Sequence, residues 1–332
     1  MYNVENYIQR CLESVENQNI ESVDIECIII DDCSSDGSYK IASDIISDYN
    51  GSIRFQLIRN NRNFGLSVSR NNGLKLAGRD FILFLDSDDY LMSNCIQILV
   101  NAYCNNPHAD IIIGNTIEKF NNRALYSISK PLFIDNGLDA RRWMLKEKKC
   151  FVWNRLIRKQ IIIDNQLYFE PGIVYEDILW TYQLYAHVSS ICLLPDITHV
   201  YEYNCDSITI SSPKKPNLHV LSYTTTCRKM LETNYEKSLF VQQHLFIFWA
   251  ILNAIDYSEK YDIDNETKDF LLITKNQLMK KVVSDRRFVL ALYFLLMYYP
   301  FHKITHIRLF RWYYITISNC VEKIASLYNC LH

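Results

Sequence analysis

Three carboxylates directly follow an apolar run in the stretch GRDFILFLDSDDYL, residues 78–91. Asp86, Asp88 and Asp89 come after a run of large apolar side chains that is typical of a buried strand. Clustered carboxylates repel one another, and burying them costs free energy unless a positive charge neutralises them. Two interpretations are open at this point: a solvated turn in which Asp caps the next helix, or a cation site.

A second apolar run, IIIDDCSSDGS, also ends in paired carboxylates, Asp31 and Asp32. In open α/β sheets, ligands bind beyond the carboxyl ends of the strands. We therefore expect the two acidic strand ends to face one crevice. An ordinary turn is the alternative, because Asp, Ser and Gly all favour turns.

The segments around these motifs alternate between helical and strand-like patterns. Helical spacing occurs in NVENYIQRCLESVENQ, DGSYKIASDIISDY, GLSVSRNNGLKLA and NCIQILVNAYCNN, and strand-like runs are DIECIIIDD, IRFQLIRN, DFILFLD and ADIIIGNTIEKF. Such alternation predicts an α/β fold with right-handed crossovers and a mostly parallel sheet flanked by helices. From about residue 213 the pattern is helical, so we predict domains of residues 1–212 and 213–332.

Composition narrows the class of protein. The chain has 332 residues, 49% of them hydrophobic and 22% charged, which is typical of a globular protein. The net charge of −2 gives no basis for binding nucleic acid over a whole surface, so no nucleic acid is expected as a partner. The 11 cysteines form no C-x-x-C pair, which favours reduced thiols in the cytoplasm. The sequence pattern predicts neither a signal peptide nor an apolar stretch long enough to span a membrane.

Four blocks, taken in order, resemble the family 2 glycosyltransferases: YNVENYIQRCLESVENQ, IIIDDCSSDGS, NFGLSVSRNNGLKLAGRDFILFLDSDDYL and VYEDILW. The resemblance covers roughly residues 1–212. It implies the GT-A nucleotide-diphospho-sugar transferase fold in residues 1–212, followed by a helical C-terminal region. It also implies an inverting hexosyl- or N-acetylhexosaminyltransferase that moves a sugar from a nucleotide-sugar donor, expected to be a UDP-sugar, to a saccharide or lipid-linked acceptor in surface polysaccharide synthesis.

The resemblance assigns roles at the donor end of the site. Asp88 is expected to bind Mg²⁺ or Mn²⁺, and Asp86 to hold the ribose or assist with the metal. A hard cation between a carboxylate and two phosphates neutralises the charge on the leaving nucleoside diphosphate. Asp32 is expected to meet the base, with Tyr2 in the same nucleotide-binding set. Arg70 is expected to pair with nucleotide or phosphate through its donor fork; a surface position is the alternative.

The motif YED, residues 175–177, resembles the part of the family that carries the catalytic base. Asp177 is expected to take the proton of the acceptor hydroxyl, with Glu176 in support. Without the resemblance, the acidic first turn of a helix is the favoured interpretation of EDILW. Trp153, in VWNRLIRK, is expected either to form an apolar wall against a sugar ring or to pack in the core. His199 is expected to be structural.

Two departures bear on these expectations. Family members usually begin with an apolar strand before the YN dipeptide, and here Met1 stands directly before it, so the first strand of the fold appears in the sequence as missing. At the other end, the apolar run 288–301 is followed by interleaved basic and aromatic residues. That pattern suits peripheral contact with the inner face of the plasma membrane, and a buried helix is the alternative.

Two functions of other classes stay open on the sequence. A non-catalytic relic that binds a nucleotide or a partner is compatible with the missing strand. A glycosidase with Asp88 and Asp177 as its carboxylate pair is the third possibility.

Overall fold

The computed structural model describes residues 1–18, 23–205, 207 and 215–284. The chain divides into two compact units, residues 1–144 with 149–211, and residues 145–148 with 212–332. The predicted domain boundary at residues 212 and 213 falls within 208–214, outside the described residues.

The first unit combines helices with strands in the alternation that the sequence predicts. Its helices are α1 (Ile8–Glu16), α2 (Ser38–Asp48), α3 (Leu66–Leu76), α4 (Cys95–Asn105), α5 (Gly137–Glu147), α6 (Lys159–Asp164) and α7 (Glu176–Tyr185). Its strands are β1 (Glu26–Asp31), β2 (Arg54–Arg59), β3 (Phe81–Leu83), β4 (Tyr90–Leu91), β5 (Ile111–Glu118), β6 (Arg123–Ala124), β7 (Leu132–Ile134), β8 (Arg155–Arg158) and β9 (Ile191–Tyr201). The predicted α/β class with flanking helices is confirmed.

The strand directions are more mixed than predicted. Strands β1 and β2 form a parallel pair, and a larger sheet has the order β3-β8-β5-β9-β4, with β6 on β5 and β7 on β9. In the larger sheet β5 and β9 are parallel, whereas the other pairs described are antiparallel. Strand β8 is reached through β6, β7 and α5 instead of one crossover helix, so the rule that makes βαβ neighbours parallel does not apply to it.

The acidic motif lies just beyond a short strand. The predicted strand DFILFLD is reduced to Phe81–Leu83, and Phe84 makes only an isolated bridge with Trp153. Asp86 thus follows the end of β3 by three residues, and β1 ends at Asp31, directly before Asp32. This is the arrangement that the sequence predicts for the carboxyl ends of strands.

Met1 lies on the side of β1 that does not pair with β2. Its ammonium group donates to the Ile30 carbonyl at 2.7 Å, and its own carbonyl accepts from the Asp32 N–H at 2.9 Å. Bonds from one residue to two alternate residues of its neighbour are the pattern of parallel strands. The first residue of the chain is thus in register beside β1, at the position where the family resemblance leads us to expect a strand.

Two apolar clusters hold the strand ends in place. One joins α1 and α2 to β1 through residues such as Ile8, Leu12, Ile29 and Ala42. The other joins α4 to β5 and β9 and includes the fully buried Leu99. Burying such side chains stabilises the fold by about 1.5–3 kcal/mol each.

Gly114 allows β5 to approach its neighbours closely. A Cβ at this position would lie 1.9 Å from Thr198 Oγ1 and 2.8 Å from Asn154 Oδ1. The register of β5 with β9 shifts between Ile113 and Asn115, on either side of this glycine. Any larger residue would push apart the strands that carry the site.

The second unit is helical in its described part, as the sequence predicts. Its helices are α8 (Pro216–Glu232), α9 (Phe240–Lys260) and α10 (Asn265–Ser284), and a 3-10 turn, Lys237–Leu239, precedes α9. Among the described residues, the one helix long and apolar enough to cross a membrane is Lys237–Lys260; this is weak evidence, because a core helix passes the same test and 56% of the window is buried. The apolar run 288–301 and the basic and aromatic residues after it lie outside the described residues.

Candidate active site

Arg70 connects the acidic motif at residues 86–89 with the YED motif at residues 175–177. Its Nη2 donates to Asp86 Oδ1 at 2.7 Å, and its Nη1 donates to Glu176 Oε1 at 2.5 Å. The Arg70 and Glu176 side chains are only 9% and 7% exposed, so this is a desolvated link between the strand end at β3 and the start of α7. Burial lowers the Arg70 pKa, but the negative charges of Asp86 and Glu176 outweigh this effect, so the net result is a raised Arg70 pKa.

Packing around α3 fixes the Arg70 side chain. Its guanidinium lies 5.3 Å from the centre of the Phe169 ring, a cation–π distance. Phe169 stacks on Trp180 of α7, with ring centres 4.8 Å apart. The next residue, Asn71, exchanges two hydrogen bonds of 2.8 Å with the backbone of Phe169. These contacts support the Arg70 side chain in the geometry in which its two nitrogens reach two carboxylates.

A left-handed residue turns the chain into α7. Tyr175 has φ +60 and ψ 37, a conformation that non-glycine residues adopt mainly where the surroundings impose it. Glu176 and Asp177 then occupy the first turn of α7, where the helix dipole favours negative charge. The first-turn interpretation of EDILW is thus correct, and the same turn also faces Arg70.

Asp177 is a carboxylate that resists ionisation. Burial first, and then the negative charge of Glu176, raise its pKa to about 7, although Arg70 acts in the opposite direction. A general base works best with a pKa near the working pH. The Asp177 carboxylate is therefore tuned for taking up and releasing a proton near neutrality.

The motif at 86–89 separates into three environments. Asp86 is bound to Arg70 and is 31% exposed. Asp88 Oδ2 accepts from Asn204 Nδ2 at 2.9 Å, and burial followed by the charge of Asp86 raises the Asp88 pKa. Asp88 is thus a partly buried carboxylate beside a second negative charge, which a bound cation would stabilise.

Asp89 is structural and does not cap the next helix. It is 1% exposed, and its Oδ1 accepts from the Glu202 N–H at 2.9 Å. Its Oδ2 lies 3.3 Å from Nε2 of the fully buried His199. Burial raises the Asp89 pKa to about 6, against the opposing effect of His199. The interpretation in which an Asp caps the next helix does not hold for Asp89, because α4 begins only at Cys95, whereas Asp89 points to β9 and the residues after it.

The other acidic strand end is saturated by protein donors. Asp32 is 3% exposed, and its carboxylate accepts from Asn60 Nδ2 and from the N–H groups of Phe64 and Gly65, at 2.7 to 3.0 Å. In this conformation it shapes the 60–65 loop. Its contact with a nucleotide base stays a prediction, as does that of Tyr2, which is 46% exposed.

Trp153 lies in an aromatic stack and not at an open surface. It is 7% exposed and stacks on Phe151 and on His199, with ring centres 4.4 and 4.7 Å away. Its geometry corresponds to the core-packing alternative. A face of this ring offered to a sugar is not available in this conformation.

Two residues of the site were not predicted from the sequence. Asn71 locks the Phe169 segment, and Asn204 holds Asp88 from a position 116 residues further along the chain. The signal for Asn71 was present in the RNN triplet beside Arg70. For Asn204, only the fold brings the residue to its partner.

The carboxylates of the 86–89 motif could bind a divalent cation only together with other ligands. Among the residues that the structure describes, there is no group of three or more His, Cys, Asp or Glu side chains that could hold a metal ion. A cation that arrives with a diphosphate needs only one or two carboxylates, because phosphates and waters supply the other ligands. Asp88, with Asp86 beside it, meets that requirement.

Comparisons with known proteins bear on the family and the fold of the chain. Residues 1–165 match the model of Glycosyl transferase family 2. The chain is 30% identical over 199 residues to the poly(ribitol-phosphate) beta-N-acetylglucosaminyltransferase TarP of Staphylococcus aureus. That alignment covers 59% of this chain and 57% of TarP, so the chain spans less than three fifths of that relative's length.

Two solved structures share the fold. Residues 1–349 of S. aureus TarS, crystallised with UDP-GlcNAc, match with a TM-score of 0.66 and 19% identity, over 84% of this chain and 79% of that one. The mannosyltransferase PcManGT of Pyrobaculum calidifontis, in complex with GDP-Man and Mn²⁺, matches with a TM-score of 0.54 and 11% identity, over 89% and 83%. These likenesses confirm the GT-A fold. The family match shows that residues 1–165 belong to glycosyl transferase family 2.

Proposed function

We propose that this protein is a metal-dependent, inverting glycosyltransferase that moves a sugar from a UDP-sugar to an acceptor hydroxyl of a surface polysaccharide or its lipid-linked precursor. The observation that carries the proposal is the Asp86–Arg70–Glu176 link. It ties the loop of Asp88 to the first turn of α7, so that a carboxylate suited to a cation and a carboxylate suited to a proton belong to one site.

The chain's own residues supply the acid–base chemistry. Asp177, with its pKa raised to about 7, takes the proton of the acceptor hydroxyl as that oxygen attacks the anomeric carbon. The bond from the anomeric carbon to the diphosphate oxygen breaks, and its electron pair leaves with the diphosphate. Glu176 and Arg70 hold the first turn of α7 in place during this step.

Asp88 and Asp86 would hold Mg²⁺ or Mn²⁺. When bound, the cation supplies charge neutralisation for the leaving diphosphate. Support comes from the Asp88 carboxylate, whose pKa is raised by burial and then by the charge of Asp86, and from PcManGT, whose structure was solved in complex with GDP-Man and Mn²⁺. The uridine nucleotide is supported by the TarS complex with UDP-GlcNAc.

The acceptor and the cellular location are proposed on narrower grounds. TarP is named for transfer to poly(ribitol-phosphate), which supports a polymer of the cell surface as acceptor. The nine cysteines within the described residues are all free thiols, which suits the reducing cytoplasm, with the acceptor reached at the inner face of the plasma membrane. Fractionation of cells that produce the chain measures this; recovery from the cell exterior alone would contradict it.

Calorimetric titration of UDP into the full chain tests the proposal. We expect binding with Mn²⁺, and at least tenfold weaker binding with EDTA or in Asp88→Asn, since charge–charge contacts at such sites contribute several kcal/mol. Equal affinity in EDTA would overturn metal dependence. Binding of GDP or dTDP in place of UDP would overturn the choice of nucleotide.

A matched variant separates the site from general effects of charge. Asp48→Asn removes the same charge from an exposed position at the end of α2. It should bind UDP like the wild-type chain. If the chain with a UDP-sugar and Mn²⁺ transfers no sugar to any acceptor, and Asp177→Asn binds UDP normally, a binding protein without catalysis would be the better description.

A further inference from the structure

Two exposed aromatic residues stand beside the loop that carries Asp88. Phe120 is 81% exposed and Tyr203 is 49% exposed, and their ring centres lie 5.3 Å apart with an interplanar angle of 30°. Large aromatic rings that are exposed side by side often mark a binding surface, because a bound ligand removes their apolar faces from water. We call this pair the aromatic platform.

The platform continues the parallel pairing of β5 and β9. Glu118 pairs with Tyr201, and the Lys119 N–H donates to the Tyr201 carbonyl at 3.1 Å. Phe120 and Tyr203 each lie two residues beyond this pair, just past the ends of β5 and β9. The register of the two strands therefore brings together the segments that carry the two rings.

Hydrogen bonds hold Tyr203 rigidly against the acidic motif. The Glu202 N–H donates to Asp89 at 2.9 Å, and the Asn204 side chain donates to Asp88 at the same distance. Tyr203 thus lies between two residues that are anchored to adjacent carboxylates of the motif. A preorganised ring costs little entropy when it binds a ligand.

Ion pairs brace the same segment from the other side. The Glu202 carboxylate accepts from Arg10 at 2.8 Å and from Lys119 at 2.7 Å. Arg10 also lies over the Tyr90 ring, 4.5 Å from its centre. Two half-exposed cations share one carboxylate, so this margin of the platform favours a neutral or negatively charged ligand over a positively charged one.

An acceptor fits the platform better than the donor nucleotide does. Asp86, on one side of the motif, is tied through Arg70 to α3, in the half of the unit that carries the predicted base-binding Asp32. Asp88, on the other side, is tied through Asn204 to the platform. The two ends of the motif thus lead to different parts of the fold.

We propose that the aromatic platform of Phe120 and Tyr203 binds a saccharide unit of the acceptor. The C–H face of a pyranose ring is apolar and matches the flat face of an aromatic ring, while its hydroxyl edge stays hydrated. This subsite rests on the proposed function, because it assigns the acceptor side of that same reaction. The proposal requires that the acceptor contains sugar rings.

Saturation-transfer NMR with the full chain, UDP and Mn²⁺ tests the subsite. The probes are cellobiose, maltose and chitobiose, which present pyranose faces with different linkages. At least one should bind, and Phe120→Ala should weaken that binding roughly tenfold, the loss expected for one stacked ring. Phe120→Trp keeps an aromatic face and should retain binding.

Phe133→Ala is the matched control. Phe133 is 40% exposed and pairs with Cys192, near the other end of β9 from Tyr201, so its loss should leave disaccharide binding unchanged. The subsite is overturned if none of the three disaccharides binds, or if Phe120→Ala binds them as the wild-type chain does.

Calorimetric titration of UDP keeps the two proposals separable. Phe120→Ala should bind UDP normally, because Phe120 is not among the residues predicted to contact the donor. Disaccharide binding through Phe120 without any nucleotide binding would uphold the subsite and reject the proposed reaction. Weakened UDP binding in Phe120→Ala would reject an acceptor role for the platform.

Discussion

The acidic ends of β1 and β3 look alike in sequence and differ in what surrounds their carboxylates. After β1, Asp31 accepts from the Ser34 N–H and pairs with Arg59 at 3.1 Å, and Asp32 accepts from three protein donors. After β3, Asp88 accepts from the Asn204 side chain and has a second carboxylate nearby. A carboxylate that the protein satisfies builds a loop, and one with spare acceptor capacity is able to bind a ligand.

The same distinction divides the pair at the start of α7. Glu176 forms an ion pair with Arg70. The charge of Arg70 also lowers the pKa of Asp177, but burial and Glu176 still raise that pKa to about 7. Neighbours in sequence therefore have different tasks. The following changes test this division, from the largest expected effect to the smallest.

Asp177→Asn should abolish most of the transfer activity. An amide cannot take the acceptor proton, so we expect kcat to fall by roughly 10²–10⁴ while UDP binding is kept. In the wild-type chain the rate should rise with pH through about 7, because only the ionised carboxylate acts as a base. Stopped assays with radiolabelled donor across pH 5 to 9 measure both; a kcat within twofold of wild type would remove Asp177 from the mechanism.

Arg70→Met should destabilise the protein and change the pH profile. It leaves two largely desolvated carboxylates without their shared partner, a loss of about 3–5 kcal/mol in the free energy of unfolding. Because Arg70 lowers the Asp177 pKa, the rising limb of the rate profile should move to higher pH. Urea denaturation and the profile of kcat against pH check the two effects.

Arg70→Lys separates charge from geometry at this position. Lysine keeps the charge, so the limb should stay near pH 7, but one ammonium group cannot reproduce the fork that reaches Asp86 and Glu176. Arg79→Lys is the control. Arg79 forms an ion pair with Asp24 in which the side chains are 34% and 63% exposed, so this variant should change the stability and the pH profile little. Equal behaviour of the two lysine variants would contradict the linking role.

Asp32→Asn should cost stability. It removes charge-assisted hydrogen bonds to Asn60, Phe64 and Gly65 in a buried site, worth about 1–3 kcal/mol in the free energy of unfolding. Thermal unfolding without nucleotide reads this directly. A variant with wild-type stability but weakened UDP binding would instead support the predicted contact with the base.

Asp88→Asn should change stability in the opposite direction from Asp32→Asn. Burial and Asp86 raise the Asp88 pKa in the folded state, so ionising this carboxylate opposes folding. Its neutral replacement should raise Tm slightly at pH 8, and the gain should vanish as the pH falls below the pKa of the unfolded chain. A lower Tm at pH 8 would show that Asp88, like Asp32, mainly holds the fold together.

Sequence reasoning located the site elements well and their contacts poorly. The helices, the strand ends and the YED turn were predicted because apolar periodicity and motif order are local properties of the chain. The mixed strand directions were not, since β8 is paired by packing and not by adjacency. The cap interpretation fails at Asp89 for the same reason: its partner His199 lies 110 residues away, in β9.

By itself, the sequence determined where carboxylates stand relative to strands and helices, and therefore the family and the class of chemistry. Only the tertiary structure decided which of those carboxylates are saturated and which keep acceptor capacity. The physical reason is that a side chain's charge, burial and donors depend on residues that are distant in the chain. Arg70 shows this most directly, since its two partners, Asp86 and Glu176, lie 16 and 106 residues further on.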